Sequence, residues 1–252
     1  MITRFPSVAL VAASVLLTGC GGGALAATDH ASAPTPASSS PTSSAPSPSS
    51  EISAEAAARQ LPGVGPKMLA RIPADTEQVV LVTGRGVNSA LSTLALYERT
   101  DDGWEETATW AAHNARRGWS DHHMAGDLRS PVGVYGLTDA GGLLKDPGTK
   151  LSYDQGPGFV SPGTGFEGEP LAGSFDYVIA INYNRKPGTS PLDWTRPLGS
   201  SRGGGIWIHV DHGGPTHGCV SIAEDHMEEL LRTLDPARHP VVVMGDAAAL
   251  GH

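Results

Sequence analysis

Apolar and polar residues alternate along much of the chain in short runs that predict β-strands. Apolar side chains occupy every second position or form β-branched stretches, and Gly, Pro or Asp bound these runs. The predicted strands are 79–83, 91–99, 104–110, 130–137, 175–183, 205–210 and 241–244. Asp102-Gly103 supplies a tight turn between the second and third of them. We therefore expect a mostly β domain.

One prominent helix is predicted over 223–234, between the last two strands. Ser221 and Glu224 fit a capping box, in which the two side chains bind backbone N–H groups at the start of a helix. A helix that opens at Ser221 would direct the positive end of its dipole toward the residues just before it. A shorter helix is predicted over 53–61.

The composition agrees with one β-rich domain. The first 50 of the 252 residues are unlike a folded domain, which leaves about two hundred residues for structure. Gly (32 residues) and Pro (20 residues) are abundant and aromatics make up only 6%, a mixture that favours turn-rich β structure. The net charge of -9 argues against a nucleic-acid partner, because phosphate binding needs a basic patch.

The segment 61–72 (LPGVGPKMLARI) matches the helix-hairpin-helix pattern that binds DNA backbones. Such hairpins place Gly amides and basic side chains on phosphates, and this one stands alone in an acidic chain. We therefore interpret 51–75 as a short helical segment packed on the main domain, which spans 76–252.

The beginning of the chain predicts export and a lipid anchor. Residues 1–19 contain a short apolar stretch of signal-peptide length. That stretch ends in Leu17-Thr18-Gly19-Cys20, which resembles the bacterial lipobox and would make Cys20 the lipidated N-terminus. The rest of 20–50 is rich in Ala, Ser and Pro and predicts a tether. We expect an extracytoplasmic protein on the outer face of the plasma membrane; the alternative is an ordinary signal peptide with an incidental cysteine.

The two cysteines of the chain have different predicted fates. An acylated Cys20 cannot pair with Cys219, so Cys219 is expected to be a free thiol. A free thiol in an oxidising compartment is prone to oxidation, so its presence suggests that Cys219 has a function. The simpler alternative is that Cys219 is a buried, inert cysteine.

The residues around Cys219 favour use as a nucleophile. Strand alternation places His209 on the face opposite Ile208, and the Gly-rich loop 211–218 can bring Cys219 back beside it. An imidazole within hydrogen-bond reach can convert a thiol to a thiolate near neutral pH. The run Thr216-His217-Gly218-Cys219 adds backbone N–H groups that could face an oxyanion, and Gly218 permits close approach.

These motifs resemble those of the YkuD-type L,D-transpeptidases, bacterial enzymes that cross-link peptidoglycan stem peptides. The resemblance covers roughly 78–245 and rests on the histidine-bearing strand 206–209, the nucleophile motif 216–219 and the Pro-x-Gly turn within 130–135. Val210 stands where glycine is usual in the family, and Ser221 where Arg or Asn is more common. The resemblance implies a YkuD-like β-sandwich with a helix after the catalytic cysteine loop.

The resemblance also implies roles for the site residues. Cys219 would attack the peptide bond before a terminal D-alanine, with His209 as base and the amides of His217, Gly218 and Cys219 as the oxyanion hole. Cys219, His209 and His217 are the candidate catalytic residues, and if His209 is not the base, His212 or His217 takes that role. The thioester would then be captured by an amine of a second stem peptide. Thr216 and Ser221 would flank this site. We expect a monomer that needs neither metal nor another cofactor.

Three alternatives stay open at this point. Water could capture the thioester, which would make the protein an L,D-carboxypeptidase or amidase. The protein could bind cell wall without catalysis, with Cys219 merely packed. It could also be a zinc-dependent hydrolase, since possible ligands are numerous: Asp121, His122, His123, His209, Asp211, His212, His217 and Cys219.

Overall fold

The computed structural model describes residues 60–252, and these form a mostly β domain, which confirms the predicted fold class. The strands are β1 (Gln78–Gly84), β2 (Leu91–Thr100), β3 (Gly103–His113), β4 (Trp119–Ser120), β5 (Ser130–Pro131), β6 (Gly133–Gly142), β7 (Ser152–Gln155), β8 (Val178–Ile181), β9 (Trp207–Val210), β10 (Val220–Ile222) and β11 (Val241–Asp246). The helices are α1 (Pro66–Leu69), α2 (Glu224–Thr233) and α3 (Ala247–Leu250), with 3-10 turns at Ser200–Arg202 and Pro236–Arg238.

The predicted signal peptide, Cys20, the tether and most of the helix expected over 53–61 lie outside the described residues. None of the helices within residues 60–252 has the length and apolar character needed to cross a bilayer.

The main sheet closes on itself. Its strands follow the order β11-β1-β2-β3-β10-β9-β8-β6, and β6 pairs again with β11. On one edge of β6, the first half of the strand pairs with β11 and the second half pairs with the short strand β7. Most neighbours are antiparallel, whereas β1 pairs with β11, and β9 with β10, in parallel. Closure leaves the eight strands of the ring with hydrogen-bonded neighbours on both sides.

Helix α2 packs in the interior of this closed sheet. Met227, Leu230 and Leu231 on α2 are fully buried and share one apolar cluster with Val80, Leu94 and other inward residues of the strands. Each such leucine contributes roughly 1.5–3 kcal/mol when it leaves water. The helix follows β10 directly, so packing of α2 also holds the strand that carries the residues after Cys219.

The first outer layer contains the segment that matched the DNA-binding hairpin. Leu61, Val64 and Met68 pack with Val79 on β1 and Leu250 on α3. The Gly65 N–H donates to the Leu250 carbonyl, and the Lys67 N–H to that of His252. The apolar face of this segment is therefore used for packing on the sheet.

The second outer layer covers β8 and β9. Phe159 from the long β7–β8 connection packs on Val178, Ala180 and Trp207, and Phe175 and Cys219 lie against the same cluster. The expected alternation in β9 is present, with Ile208 inside and Trp207 and His209 outside. The outer face is buried as well, so His209 lies between the sheet and the β7–β8 connection.

The capping box predicted at Ser221 is wrong. Ser221 is in β10, and its hydroxyl donates to Asp211 Oδ1 at 2.6 Å. Helix α2 begins after Ala223, which makes no side-chain cap, and the acidic residues Glu224 and Asp225 occupy its first turn. The strand pairing of Val220–Ile222 with β9 and the bond to Asp211 override the local capping pattern.

The strand predicted over 175–183 is shorter in the structure, where β8 covers Val178–Ile181. The Ser174 N–H donates to the Leu171 carbonyl and the Asp176 N–H to that of Gly173. These bonds hold the preceding residues in turns, which places Phe175 over the outer face of β9.

Candidate active site

Cys219 immediately precedes β10 and is half-buried. Its Sγ accepts a hydrogen bond from the Trp207 N–H at 3.4 Å and contacts the Gly205 carbonyl, an acceptor, at 3.6 Å. Burial raises the pKa of the thiol to about 11, against the smaller lowering effect of the Trp207 N–H. The structure therefore favours the protonated thiol at neutral pH, not the thiolate that the sequence motif suggested.

The turn before Cys219 is fixed by side-chain hydrogen bonds. Buried Thr216 donates from Oγ1 to the Cys219 carbonyl at 2.7 Å, and Ser130 Oγ donates to the same oxygen at 3.4 Å. A Cβ on Gly218 would come within 2.9 Å of Ile206 Cδ1, so this turn lies close to the sheet.

Three of the four backbone N–H groups of this turn make no hydrogen bond within residues 60–252. Thr216 N–H donates to the Asn114 carbonyl, whereas those of His217, Gly218 and Cys219 have no acceptor within residues 60–252. Unpaired N–H groups beside a nucleophile are available to bind a negatively charged oxygen.

His209 is buried on β9, and its Nδ1 lies 2.8 Å from the carbonyl oxygen of Val210. A carbonyl oxygen can only accept, so Nδ1 carries the proton and Nε2 is the basic nitrogen. Burial lowers the pKa of His209 to about 4, so the ring is neutral near pH 7. Phe175 contacts the ring edge to face at a centroid distance of 5.4 Å and helps to fix its orientation.

Cys219 lies where two cavities meet. The larger, about 480 Å³, is lined by Gly203–Gly205, Trp194, Arg196 and Gly218 among others, and is called the large cavity below. The small cavity, about 220 Å³, is lined by His209, His212, Thr216, Phe175 and Ser174 among others. Cys219, His217 and Gly205 belong to both. The structure thus brings Cys219 and His209 to one cavity and gives the sulfur access to a second.

Gly205 has a backbone role at this junction. Its φ of +68° lies in the left-handed region, where a side chain is disfavoured, and its carbonyl contacts the Cys219 sulfur. Gly205 therefore belongs to the wall that both cavities share, whereas Gly203 and Gly204 line the large cavity only.

Two residues of this site had no signal in the sequence. Glu169, in the β7–β8 connection, lies with Oε1 3.2 Å from His212 Nδ1. Arg196 lines the large cavity, where its guanidinium lies over the Trp194 ring at 4.8 Å from the centroid. Both come from irregular loops, where no periodicity marks a residue as facing a site.

Ser221 takes part in a separate polar network beneath the loop after β9. Asp211 Oδ1 accepts from Ser221 and lies 2.8 Å from His113 Nδ1, while Asp211 Oδ2 accepts from the Gly213 N–H. Burial would raise the pKa of Asp211, but the bonds from His113, Ser221 and Gly213 outweigh it and lower the pKa to about 2. The network fixes the start of the loop that carries His212. Ser221 therefore does not direct a helix dipole at the thiol.

The possible zinc ligands are oriented toward different partners. His209 Nδ1 bonds a carbonyl, Asp211 bonds His113 and Ser221, and His212 pairs with Glu169. Within residues 60–252, no three His, Cys, Asp or Glu side chains are grouped so that they could hold a metal ion. The arrangement gives the zinc-hydrolase alternative no support.

His217 is exposed and stands at the mouth of both cavities. Its ring lies 4.5 Å from the ring of Phe166, which in turn contacts Arg116. The ring of His217 is therefore directed to the β7–β8 connection.

The chain is similar to known proteins over part of its length. Residues 125–243 match the family model of the YkuD L,D-transpeptidase catalytic domain. Among solved structures, that of Bd1075 from Bdellovibrio bacteriovorus is similar at 17% identity with a TM-score of 0.39, over 73% of this chain and 52% of that one. The chain thus spans about half the length of that protein. A comparison with curated proteins gives no match.

Proposed function

We propose, from the match of residues 125–243 to the YkuD L,D-transpeptidase catalytic domain, that the protein cross-links peptidoglycan stem peptides through a Cys219 thioester. The observation that carries the proposal is the position of Cys219 at the junction of two cavities, with His209 in one of them. Transfer between two peptides needs room for a donor and an acceptor on either side of one nucleophile.

The first half-reaction begins from a neutral pair. The pKa values of Cys219 and His209, about 11 and about 4, keep the thiol protonated and the imidazole neutral near pH 7. The proton therefore moves from Sγ to His209 Nε2 as the sulfur attacks the carbonyl carbon before the terminal D-alanine. The Val210 carbonyl, bound to Nδ1–H, stabilises the imidazolium that forms.

The tetrahedral intermediate then carries a negative oxygen. The N–H groups of His217, Gly218 and Cys219 are free to bind it, and the bonds of Thr216 to the Cys219 carbonyl keep this turn in place. His209 returns its proton to the departing amine, D-alanine leaves, and the thioester remains. An amine of a second stem peptide then replaces the sulfur.

The second cavity favours capture of the thioester by a peptide amine over capture by water. A second peptide needs a binding site beside the sulfur, whereas water does not. The lipid at Cys20 and the extracytoplasmic location belong to the same proposal and rest on the residues Leu17-Thr18-Gly19-Cys20.

Intact-mass spectrometry tests the proposal. Incubation of the purified protein with a stem tetrapeptide that ends in D-alanine is expected to add the mass of the tripeptide acyl group, and Cys219→Ala is expected to lack this adduct. Wild-type protein without an adduct, or an adduct that Cys219→Ala retains, would contradict the thioester mechanism.

A further inference from the structure

The small cavity contains a second imidazole for which the first half-reaction has no use. His212 and His209 lie face to face, with ring centroids 5.9 Å apart and planes inclined by 13°. Both line the cavity that contains Cys219. Stacked rings do not exchange a proton along their edges, so His212 is a separate proton-accepting group and not an orienting partner of His209.

Glu169 and His212 form a largely buried contact between the β7–β8 connection and the loop after β9. The two side chains are 12% and 5% exposed, and Glu169 Oε1 lies 3.2 Å from His212 Nδ1. Glu169 Oε2 accepts from the Glu167 N–H at 2.7 Å. A Cβ on Gly165 or on Gly214 would collide with the Glu169 carboxylate, so both loops leave room for it.

The charges of this pair suit a proton acceptor. Hydrogen bonds from backbone N–H groups, together with His212, hold the pKa of Glu169 below its usual range, so the carboxylate is ionised. The ionised Glu169 carboxylate, 3.2 Å from Nδ1 but without an aligned hydrogen bond, favours by its charge the tautomer with the proton on Nδ1, and Nε2 is then the acceptor. The same negative charge attracts an ammonium group to the cavity.

The second half-reaction needs a group that accepts a proton. A primary amine of lysine type has a pKa of about 10.4 and arrives as an ammonium ion, which cannot attack a thioester. A second base on the same cavity would remove this obstacle.

We propose that His212, positioned by Glu169, is the base that takes a proton from the acceptor amine in the second half-reaction. The inference rests on the proposed function and assigns the small cavity to the acceptor. His212 is the catalytic residue of this step, and Glu169 is a positioning residue that also attracts the ammonium group.

The step balances as follows. His212 Nε2 first takes one proton from the ammonium ion and passes it to solvent; the amine nitrogen then bonds to the thioester carbon and gives a second proton to His212 Nε2. The tetrahedral oxyanion collapses and the C–S bond breaks. The Cys219 thiolate takes up one proton, which His212 supplies directly or through water. A thioester and an ammonium ion thus give an amide, a thiol and one proton.

A two-stage experiment separates this step from the first. The donor is a stem tetrapeptide whose side-chain amine at the third residue is acetylated, so it acylates Cys219 and cannot act as acceptor. The acceptor is the matching tripeptide with a free amine, which lacks D-alanine and cannot act as donor. Mass spectrometry follows the acyl-enzyme and the cross-linked product in wild type, His212→Gln and Glu169→Gln.

His212→Gln is expected to acylate within about threefold of the wild-type rate and to lose about a hundredfold in amine-dependent deacylation, so that the acyl-enzyme accumulates. Glu169→Gln is expected mainly to raise the acceptor concentration for half-maximal rate, by about tenfold. His122→Gln is the matched control, because His122 pairs with Asp121 on the surface at 2.9 Å, and both stages should stay unchanged.

Amine-dependent deacylation at the wild-type rate in His212→Gln would overturn the assignment. So would a loss of acylation as large as the loss of deacylation, because His212 would then serve the first half-reaction or the fold of the loop. Wild-type protein that never forms the acyl-enzyme would instead contradict the proposed function itself.

Discussion

The two cavities that meet at Cys219 are built from different kinds of residue. The wall of the large cavity includes the backbone of Gly203–Gly205 and the guanidinium of Arg196, from loops. The small cavity contains two imidazoles, His209 on β9 and His212 in the loop that follows β9. The large cavity therefore has a backbone wall and a positively charged guanidinium, which can bind a substrate. The small cavity has imidazoles, which can give or take protons.

This difference separates binding from proton transfer. Gly203–Gly205 can follow a peptide backbone closely because they have no side chains, but they can neither give nor take a proton. The imidazoles of the small cavity can give or take a proton. His209 is hydrogen-bonded to the Val210 carbonyl, and His212 lies 3.2 Å from the Glu169 carboxylate. Substitutions in the large cavity should change substrate affinity, and those in the small cavity should change rate constants.

The largest effect is expected from His209→Ala. Loss of Nε2 removes the acceptor for the thiol proton, and a thiol with a pKa of about 11 is almost fully protonated at pH 7. We expect acylation to slow by about a hundredfold or more at saturating donor. Stopped incubations analysed by intact-mass spectrometry measure this rate, with His122→Ala as a surface control. An unchanged rate would assign the base to another imidazole of the small cavity.

An intermediate effect is expected from Arg196→Met in the large cavity. Stem peptides carry carboxylates, which a guanidinium can bind. The Arg196 guanidinium lines this cavity and donates hydrogen bonds to the backbone carbonyls of Asp193 and Thr195. We expect KM for the donor to rise about tenfold, equivalent to about 1.4 kcal/mol, with the saturated acylation rate within about threefold. Steady-state kinetics of D-alanine release measure both parameters.

The matched control for Arg196 is Arg117→Met, since Arg117 is exposed and does not line the large cavity. A fall in the saturated rate with KM unchanged would mean that Arg196 acts on the transition state, and would break the division between the two cavities.

The smallest effect is expected from His113→Gln, below the small cavity. The hydrogen bond to Asp211 is the chief cause that raises the pKa of His113. Its contribution to stability is fully present below the ordinary histidine pKa of about 6.5, and is lost as pH rises through the raised pKa of the folded state. Urea unfolding should therefore show a loss of about 1 kcal/mol at pH 5.5 and a smaller loss at pH 9. An equal loss at both pH values would show that the charge of His113 is not involved.

The strands were predictable because their side chains alternate between two environments. All seven predicted runs overlap strands of the structure, and the alternation in β9 placed Ile208 inside and His209 outside. Strand β10 was not predicted because Val220–Ile222 is too short to show a period. The same residues overlap a capping pattern, which is why Ser221 was assigned to the wrong element.

The site was predictable in its residues and less so in its chemistry. The motif placed Cys219 and His209 together, and the two line one cavity. The protonation state depends on burial by Phe175 and the β7–β8 connection, which a local motif does not encode. Glu169 is far from His212 in sequence, so only the folded chain shows that they form a pair.

The closed sheet has a consequence for the order in which the chain can fold. Strand β11 joins β1 to β6, so the ring stays open at that seam until Val241–Asp246 has been synthesised. The nucleophile loop precedes β11 in the chain, so the sheet around it cannot close until the last strand is in place. A chain truncated before Val241 would expose β1 and β6 as two unpaired edges, to which strands of other chains could add.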